Sequence, residues 1–346
     1  FLPVSWAGDV YKRQSLTMQF GIYFPPRRHF EMGTETSTET DLILLEYADK
    51  LGFDYAWFAE NVLDNNQRPS KHRDLISIAT NLTQDIKIGY GIAQPNNQKI
   101  LSLASQIVRP DNTIQERLSF GIGPGFLPSD SPHTGVSNAE FNTLASCIKF
   151  AKSKLSAWNF EQELNRLPTY RHERRNSKLS PAEMFVASQS SPIAALLAGQ
   201  FGLGMLSLGA VTTNGCNNLP SIWEIYEKSA RENGHICDRS QWSLAIPMLL
   251  AETDEDARRD EEFGLNQWIK ELQDNTTFMT PEESNSVDQI IKTGLCVIGT
   301  HVEAINKIRE LRRQSGGFGC LLLTTHHWVD VERTKKSLKI FQDHVI

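Results

Sequence analysis

The sequence predicts an α/β protein built as a (β/α)8 TIM barrel with insertions. Three observations carry that prediction. Short β-rich runs alternate with helical stretches from Met18 to the carboxyl end, and eight such runs can be counted. The runs are mostly apolar throughout, as strands covered on both faces are. The length, 346 residues, suits a barrel of about 250 residues that carries insertions. A doubly wound open sheet shares the first two features, and the count of eight favours the closed form.

Each element has its own reason. MQFGIYF (18–24) reads as the first strand and is followed by Pro25 and Pro26. TETDLILLEYADKLG (38–52) gathers Leu42, Leu44, Leu45 and Ala48 on the apolar face of a helix stopped at Gly52. FDYAWFA (53–59) is the second strand, and a helix around 73–82 leads to IKIGYGI (86–92), the third. The stretch 98–109 is helix-like and RLSFGIG (117–123) is the fourth strand. Residues 138–158 make a long amphipathic helix, and the Arg-bearing stretch 161–180 reads as a solvated loop. EMFVAS (183–188), a helix at 193–201 and GMLSLG (204–209) supply strands five and six. A helix at 219–233 precedes WSLAIPMLLAE (242–252), strand seven, and an acidic helical stretch starts at Asp254. Residues 264–295 look irregular and are read in part as an insertion. A helix at 302–317 ends at glycines, FGCLLLTTH (318–326) is strand eight, and a helix at 331–344 closes the chain.

Without an internal repeat or a low-complexity linker, 18–346 reads as a single domain. The first 17 residues interrupt any apolar core with Asp9, Lys12 and Arg13, so they are not a signal peptide. They look like an extraneous translated end, with Met18 the expected natural start. Composition narrows the function classes. The net charge of −6 makes a poor partner for nucleic acid. No apolar run is long enough to predict a membrane span. Five scattered cysteines without a C-x-x-C pair point to a reducing, cytoplasmic setting and away from a zinc site or disulfide framework. The histidines lack metal-ligand spacing, so no metal is expected. GIGPG (121–125) lacks the following helix of a dinucleotide fingerprint, and no G-x-S-x-G elbow is present.

Two stretches have the chemistry of an anion or ring site. In Ser188-Gln189-Ser190-Ser191-Pro192 a serine precedes a helix with proline in its first turn. That arrangement is either a plain cap or an anion site built from N–H groups and hydroxyls. Gly121, Gly123 and Gly125 either make tight turns or let a ring or phosphate approach the backbone. Trp57 and Phe58 read as core or barrel-lining side chains.

The blocks MQFGIYF, ADKLGFDYAWFAE (48–60), IKIGYGI and ERLSFGIGPGFLPSD (116–130) resemble successive blocks of the bacterial luciferase-like flavin-dependent monooxygenases. AGQFGLGMLSLGA (198–210), GLCVIGTHVEAINKIREL (294–311) and SGGFGCLLLTTHHWVD (315–330) are closer, and resemble the limonene-monooxygenase-type branch. The likeness runs in order over nearly all of 18–346. It implies a luciferase-like barrel, usually a homodimer, that binds FMN at the carboxyl ends of its strands. Reduced FMN from a separate flavin reductase would react there with O2 and oxidise a small organic substrate. A single barrel uses up the whole length, which agrees with that division of labour. A deazaflavin in place of FMN, or flavin binding with weak or no turnover, are the alternatives.

The resemblance places the flavin phosphate at Ser188, Ser190 and Ser191 and the ring near Gly123 and Gly125. The candidate catalytic positions are Asn61 and His326. Many relatives carry Glu-His-His where this chain has Glu60-Asn61-Val62, and a second His pair where it has Gln98-Lys99. Asn61 can hydrogen-bond a flavin edge but cannot move a proton near neutral pH as histidine can. His326 precedes His327 and Trp328, where it reads as a pocket or packed rim residue. Arg117 and Asp111 match the family's structural ion pair.

Overall fold

The computed structural model describes residues 18–25, 34–59, 70–93, 117–123, 142, 144–149, 152, 183–188, 191–211, 213–258, 268, 287–324 and 328–346. The elements in chain order are β1 (Gln19–Phe24), α1 (Thr34–Lys50), β2 (Tyr55–Phe58), α2 (Ser70–Leu82), β3 (Lys87–Ala93), β4 (Leu118–Ile122) and β5 (Glu183–Ser188). They continue with α3 (Pro192–Phe201), β6 (Gly204–Ser207), α4 (Thr213–Glu232), β7 (Trp242–Leu250), α5 (Asp254–Arg258) and α6 (Val287–Thr293). The last are β8 (Val297–Gly299), α7 (His301–Ser315), β9 (Cys320–Thr324) and α8 (Val331–His344). Residues 144–149 are also helical.

Eight strands close on themselves. The order β6-β5-β4-β3-β2-β1-β9-β7 returns to its start because β7 also pairs with β6, and every pairing is parallel. The closed parallel barrel that the count of eight favoured is therefore present. Its eight strands coincide with the eight apolar runs. The addition is β8, a short ninth strand paired with the far end of β7, Met248↔Val297 to Leu250↔Gly299. Three residues are too few to show a period in sequence. A second correction concerns 264–295, where Val287–Thr293 is helical. A third is α4, which starts at Thr213 and carries Pro220 inside it, where the sequence had suggested a start near that proline.

Two apolar layers hold the barrel. On the outside, Ile22, Phe24, Ala56, Ile88, Leu118, Val186, Leu244 and Leu321 are buried under the helices. Phe341 of α8 meets Phe20 edge-on at 5.3 Å. On the inside, a separate cluster of Tyr23, Tyr55, Trp57, Phe185, Ala187, Leu206, Ala245, Cys320 and Leu322 fills the lumen. Side chains alternate along each strand, and alternate strands share a layer.

The strand registers then order these layers. At the amino end Lys87 and Glu183 lie beneath Tyr55, Ser119 and Cys320. Gly21, Gly89, Phe185 and Ser243 follow, then Trp57, Gly121, Leu206 and Leu322. Tyr23, Ala187 and Ala245 come above them, with Gly91 in the fourth place, at the irregularity between β3 and β4. Among the described residues no helix is long and apolar enough to cross a membrane.

Candidate functional site

The carboxyl ends of the strands lie above a floor of aromatic rings. Trp57 is fully buried and meets Phe185 edge-on at 5.3 Å. Its indole lies where neighbouring side chains would be: a Cβ on Gly89 would stand 2.2 Å from its Cδ2, and one on Gly121 3.2 Å from its Cζ3. Gly121 is thus taken up by the packing of Trp57. Gly123, buried just beyond β4, is the glycine this strand brings to the mouth. Above Trp57 the wall becomes small, with Ala59, Ala187 and Ala245 packed at the upper lumen beside Tyr23 and Leu208.

The serine candidates stand on the neighbouring strand. Ile122 pairs with Val186, so Gly123 leaves the barrel beside Ala187, one residue before Ser188. Ser191 then occupies the N-cap of α3 with extended backbone (φ −76°, ψ 125°), and Pro192 begins the helix. The Ser191 side chain makes no capping hydrogen bond, although it is buried. The plain-cap reading is therefore not realised, and the hydroxyl does not use up the amide groups of the first turn. These amides and the positive end of the helix axis are what an anion would meet there.

The sequence explains why α3 sits so firmly. Ala194, Ala195, Leu197 and Ala198 are buried against the barrel. Gly199 has no room for a side chain, since a Cβ would meet the Tyr226 carbonyl oxygen of α4 at 2.5 Å. The Ser229 hydroxyl donates to the Leu196 carbonyl at 2.7 Å, and Gly202 ends the helix in the left-handed region (φ 62°). Below, the Ser207 hydroxyl accepts from the Trp242 indole N–H at 3.1 Å.

Asn61, Ser190, Gly125 and His326 lie outside the described residues, as do Gln98, Lys99 and Asp111. The strands that precede Asn61 and His326 are β2 and β9, and both flank β1. Ala59 is tied to β1 by its N–H on the Phe24 carbonyl at 3.0 Å, and Thr324 is buried at the end of β9. Trp328 packs against Trp268 with the rings tilted by 57° and centroids 4.9 Å apart. Arg117 holds the chain before β4 by donating to the carbonyls of Ile86 (3.1 Å) and Thr83 (3.0 Å) and to the Thr83 hydroxyl. Burial lowers its pKa from the ordinary arginine value.

One side chain at the mouth escaped the sequence reading. Tyr23 points into the lumen from β1, and burial drives its phenol pKa far above the ordinary value. Its phase with Gly21, two residues earlier on the same strand, was the available signal.

Residues 18–318 match the family described as luciferase-like monooxygenase. The limonene 1,2-monooxygenase of Rhodococcus erythropolis is 29% identical over 334 residues, 95% of this chain and 86% of that protein. The crystal structure of monooxygenase RslO1 from Streptomyces bottropensis is similar with a TM-score of 0.70 and 20% identity, over 95% of this chain and 98% of that one. The oxygenating constituent of 3,6-diketocamphane monooxygenase from Pseudomonas putida, a type II Baeyer-Villiger enzyme in complex with FMN, gives 0.67 at 22% identity with the same coverage. The structural likenesses speak for the barrel. The family match takes in most of the sequence, and on that ground the chain belongs to the luciferase-like monooxygenases.

Proposed function

We propose that this protein is an FMN-dependent monooxygenase that oxidises a small organic substrate with O2 at the carboxyl mouth of its barrel. The observation that carries the reading is the convergence of Gly123 at the end of β4, Ser188 at the end of β5 and the amino end of α3, in a chain of the luciferase-like monooxygenase family. A phosphate is the kind of ligand such a terminus suits. In this reading Ser188, Ser190 and Ser191 would hold the phosphate of FMN, and Gly123 and Gly125 would let the ring approach the backbone. Asn61 would touch the flavin edge, and His326 would stand in the pocket. Reduced FMN, supplied by a separate flavin reductase, brings the electrons that activate O2.

The chain's own part is to orient and to dry the site. The lumen below the mouth is filled by Trp57, Phe185, Leu206 and Leu322, so water cannot enter from beneath. Above it, the short side chains of Ala59, Ala187 and Ala245 would lie nearest the substrate. A homodimer and a cytoplasmic setting complete the proposal.

Fluorescence titration of the purified protein with FMN and with a deazaflavin, oxidised and reduced, tests this reading. FMN is expected to bind, and the Ser191→Ala variant to bind it about tenfold more weakly, as for a hydrogen bond to a charged group. Oxygen uptake with reduced FMN is expected to depend on an added organic substrate. Reoxidation no different from that of free flavin would instead support a flavin-binding barrel without turnover, the outcome that Asn61 in place of histidine favours. Preference for the deazaflavin would change the cofactor. Absence of binding to either would reject the reading.

A further inference from the structure

The strand order gives Tyr23 a place relative to the proposed phosphate site. In the barrel sequence β1-β2-β3-β4-β5, β1 lies four strands from β5, on the opposite wall of an eight-stranded barrel. Tyr23 shares a layer with Ala187 of β5 and Ala245 of β7, and both are buried and small. Gly91, the fourth member, has no room for a side chain, because a Cβ there would meet the Gly121 carbonyl oxygen at 2.6 Å. No long side chain of the described layer competes with the phenol for the space beneath the mouth.

The other lumen tyrosine is used differently. The Tyr55 hydroxyl, at the amino end, donates to Glu183 at 2.9 Å and belongs to the base of the barrel. Tyr23 is only 4% exposed, and its burial favours the neutral phenol well beyond the ordinary range. Its O–H therefore remains a donor at any working pH. A flavin held by its phosphate beside β5 would reach across the lumen toward the far wall, which is β1.

We propose that the Tyr23 hydroxyl is the hydrogen-bond donor for an oxygen of the bound flavin ring, positioning the ring across the mouth of the barrel. The inference rests on the flavin reading above. It gives the site a neutral, fixed donor on the wall opposite the serines.

The test is FMN titration of the wild-type protein, the Tyr23→Phe variant and the Tyr55→Phe variant, with circular dichroism to verify the fold. Removing one neutral hydrogen bond is expected to weaken FMN binding by about fivefold in Tyr23→Phe. The visible absorption bands of bound FMN are expected to shift in that variant alone, while Tyr55→Phe binds as the wild type does. Wild-type affinity together with a wild-type spectrum in Tyr23→Phe would overturn the assignment and leave the flavin reading standing. Equal weakening in both variants would overturn it too, because general lumen packing would then be the cause. Failure of the wild type to bind FMN removes the flavin reading itself, and the assignment with it.

Discussion

The interior of this barrel depends on an exchange of volume between a tryptophan and two glycines. Trp57 fills space that the side chains of Gly89 and Gly121 would occupy. Gly89→Ala forces the indole against Phe185, which is itself buried. Overpacking of that kind is expected to cost about 2–3 kcal/mol, read as a lower urea midpoint at unchanged slope. Adding Trp57→Phe should return part of the loss, since the two residues are in contact. Equal destabilisation in the single and double variants would refute the exchange. At the amino end, Glu183 accepts from the Lys87 ammonium (2.6 Å), the Tyr55 hydroxyl (2.9 Å) and the Ser119 hydroxyl (3.2 Å). Lys87 and Glu183 keep 31% and 40% of their side-chain exposure, so the ion pair itself is worth little. Glu183→Gln is expected to lose about 1 kcal/mol through its hydrogen bonds and to leave FMN binding unchanged. The lumen position of Trp57 was legible in sequence as one of two readings, core or lining. Its glycine partners were not, because they sit on other strands and only the register brings them together. Ser191 shows the same limit: the cap pattern could be read, but not that its hydroxyl makes no cap bond.

Among the elements, the barrel strands were readable because each is a short apolar run, whereas β8 gained its identity only from pairing with β7. The helix α7 was readable from its glycine stop, whereas the local chemistry that fixes its start was not part of the reading. Thr300 and Glu303 form a capping box in which the Thr300 side chain caps the first turn and the Thr300 N–H donates back to Glu303 at 2.9 Å. The Thr300 hydroxyl also bonds Glu303, and chiefly for that reason the carboxyl pKa lies below the ordinary glutamate value. A folded-state pKa below the unfolded one means that this stabilisation is present above the ordinary carboxylate range and is lost as pH falls through the lowered value. The wild type is thus expected to lose stability more steeply than Glu303→Gln between about pH 5 and pH 3. Parallel acid limbs in chemical denaturation would exclude the carboxylate as the cap's charged partner. Thr300→Ala should cost about 1 kcal/mol at neutral pH. At the other end of α7, Arg239 donates to the carbonyls of Ser315 and Gly317 (2.9 Å to the latter) and stacks on Trp223 at 4.2 Å. Lysine lacks the planar fork that serves both roles, so Arg239→Lys is expected to destabilise by about 1–2 kcal/mol.

Closure is a property of the whole molecule, and the sequence bore on it only through the number of strands. An open sheet has the same local patterns. What decides between them is the pairing of β6 with β7, which brings together residues such as Met205 and Trp242 that are far apart in the chain. The closed form buries acids from distant parts of the chain in their neutral state. The Cys296 thiol, just before β8, is pushed up to about 12 by burial, and the Tyr226 phenol on α4 is also raised to about 12. Burial likewise raises the pKa values of Cys320 on β9 and of Tyr23 and Tyr55 on β1 and β2. In the unfolded chain these groups release their protons at ordinary values of about 8.5 for thiols and 10 for phenols. The folded chain holds them to higher pH. Above about pH 9 the unfolded state therefore binds fewer protons than the folded one, and stability must fall as pH rises. The predicted signature is a steady drop in urea midpoint from pH 8 to pH 11 by every optical probe, because groups on separate strands and helices report the same cooperative opening. Cys296→Ala removes one of these groups and should make the drop shallower, whatever it does to stability at pH 7. A midpoint that stayed flat to pH 11 would mean that these acids ionise within the folded state, and that the lumen and its helical shell admit water.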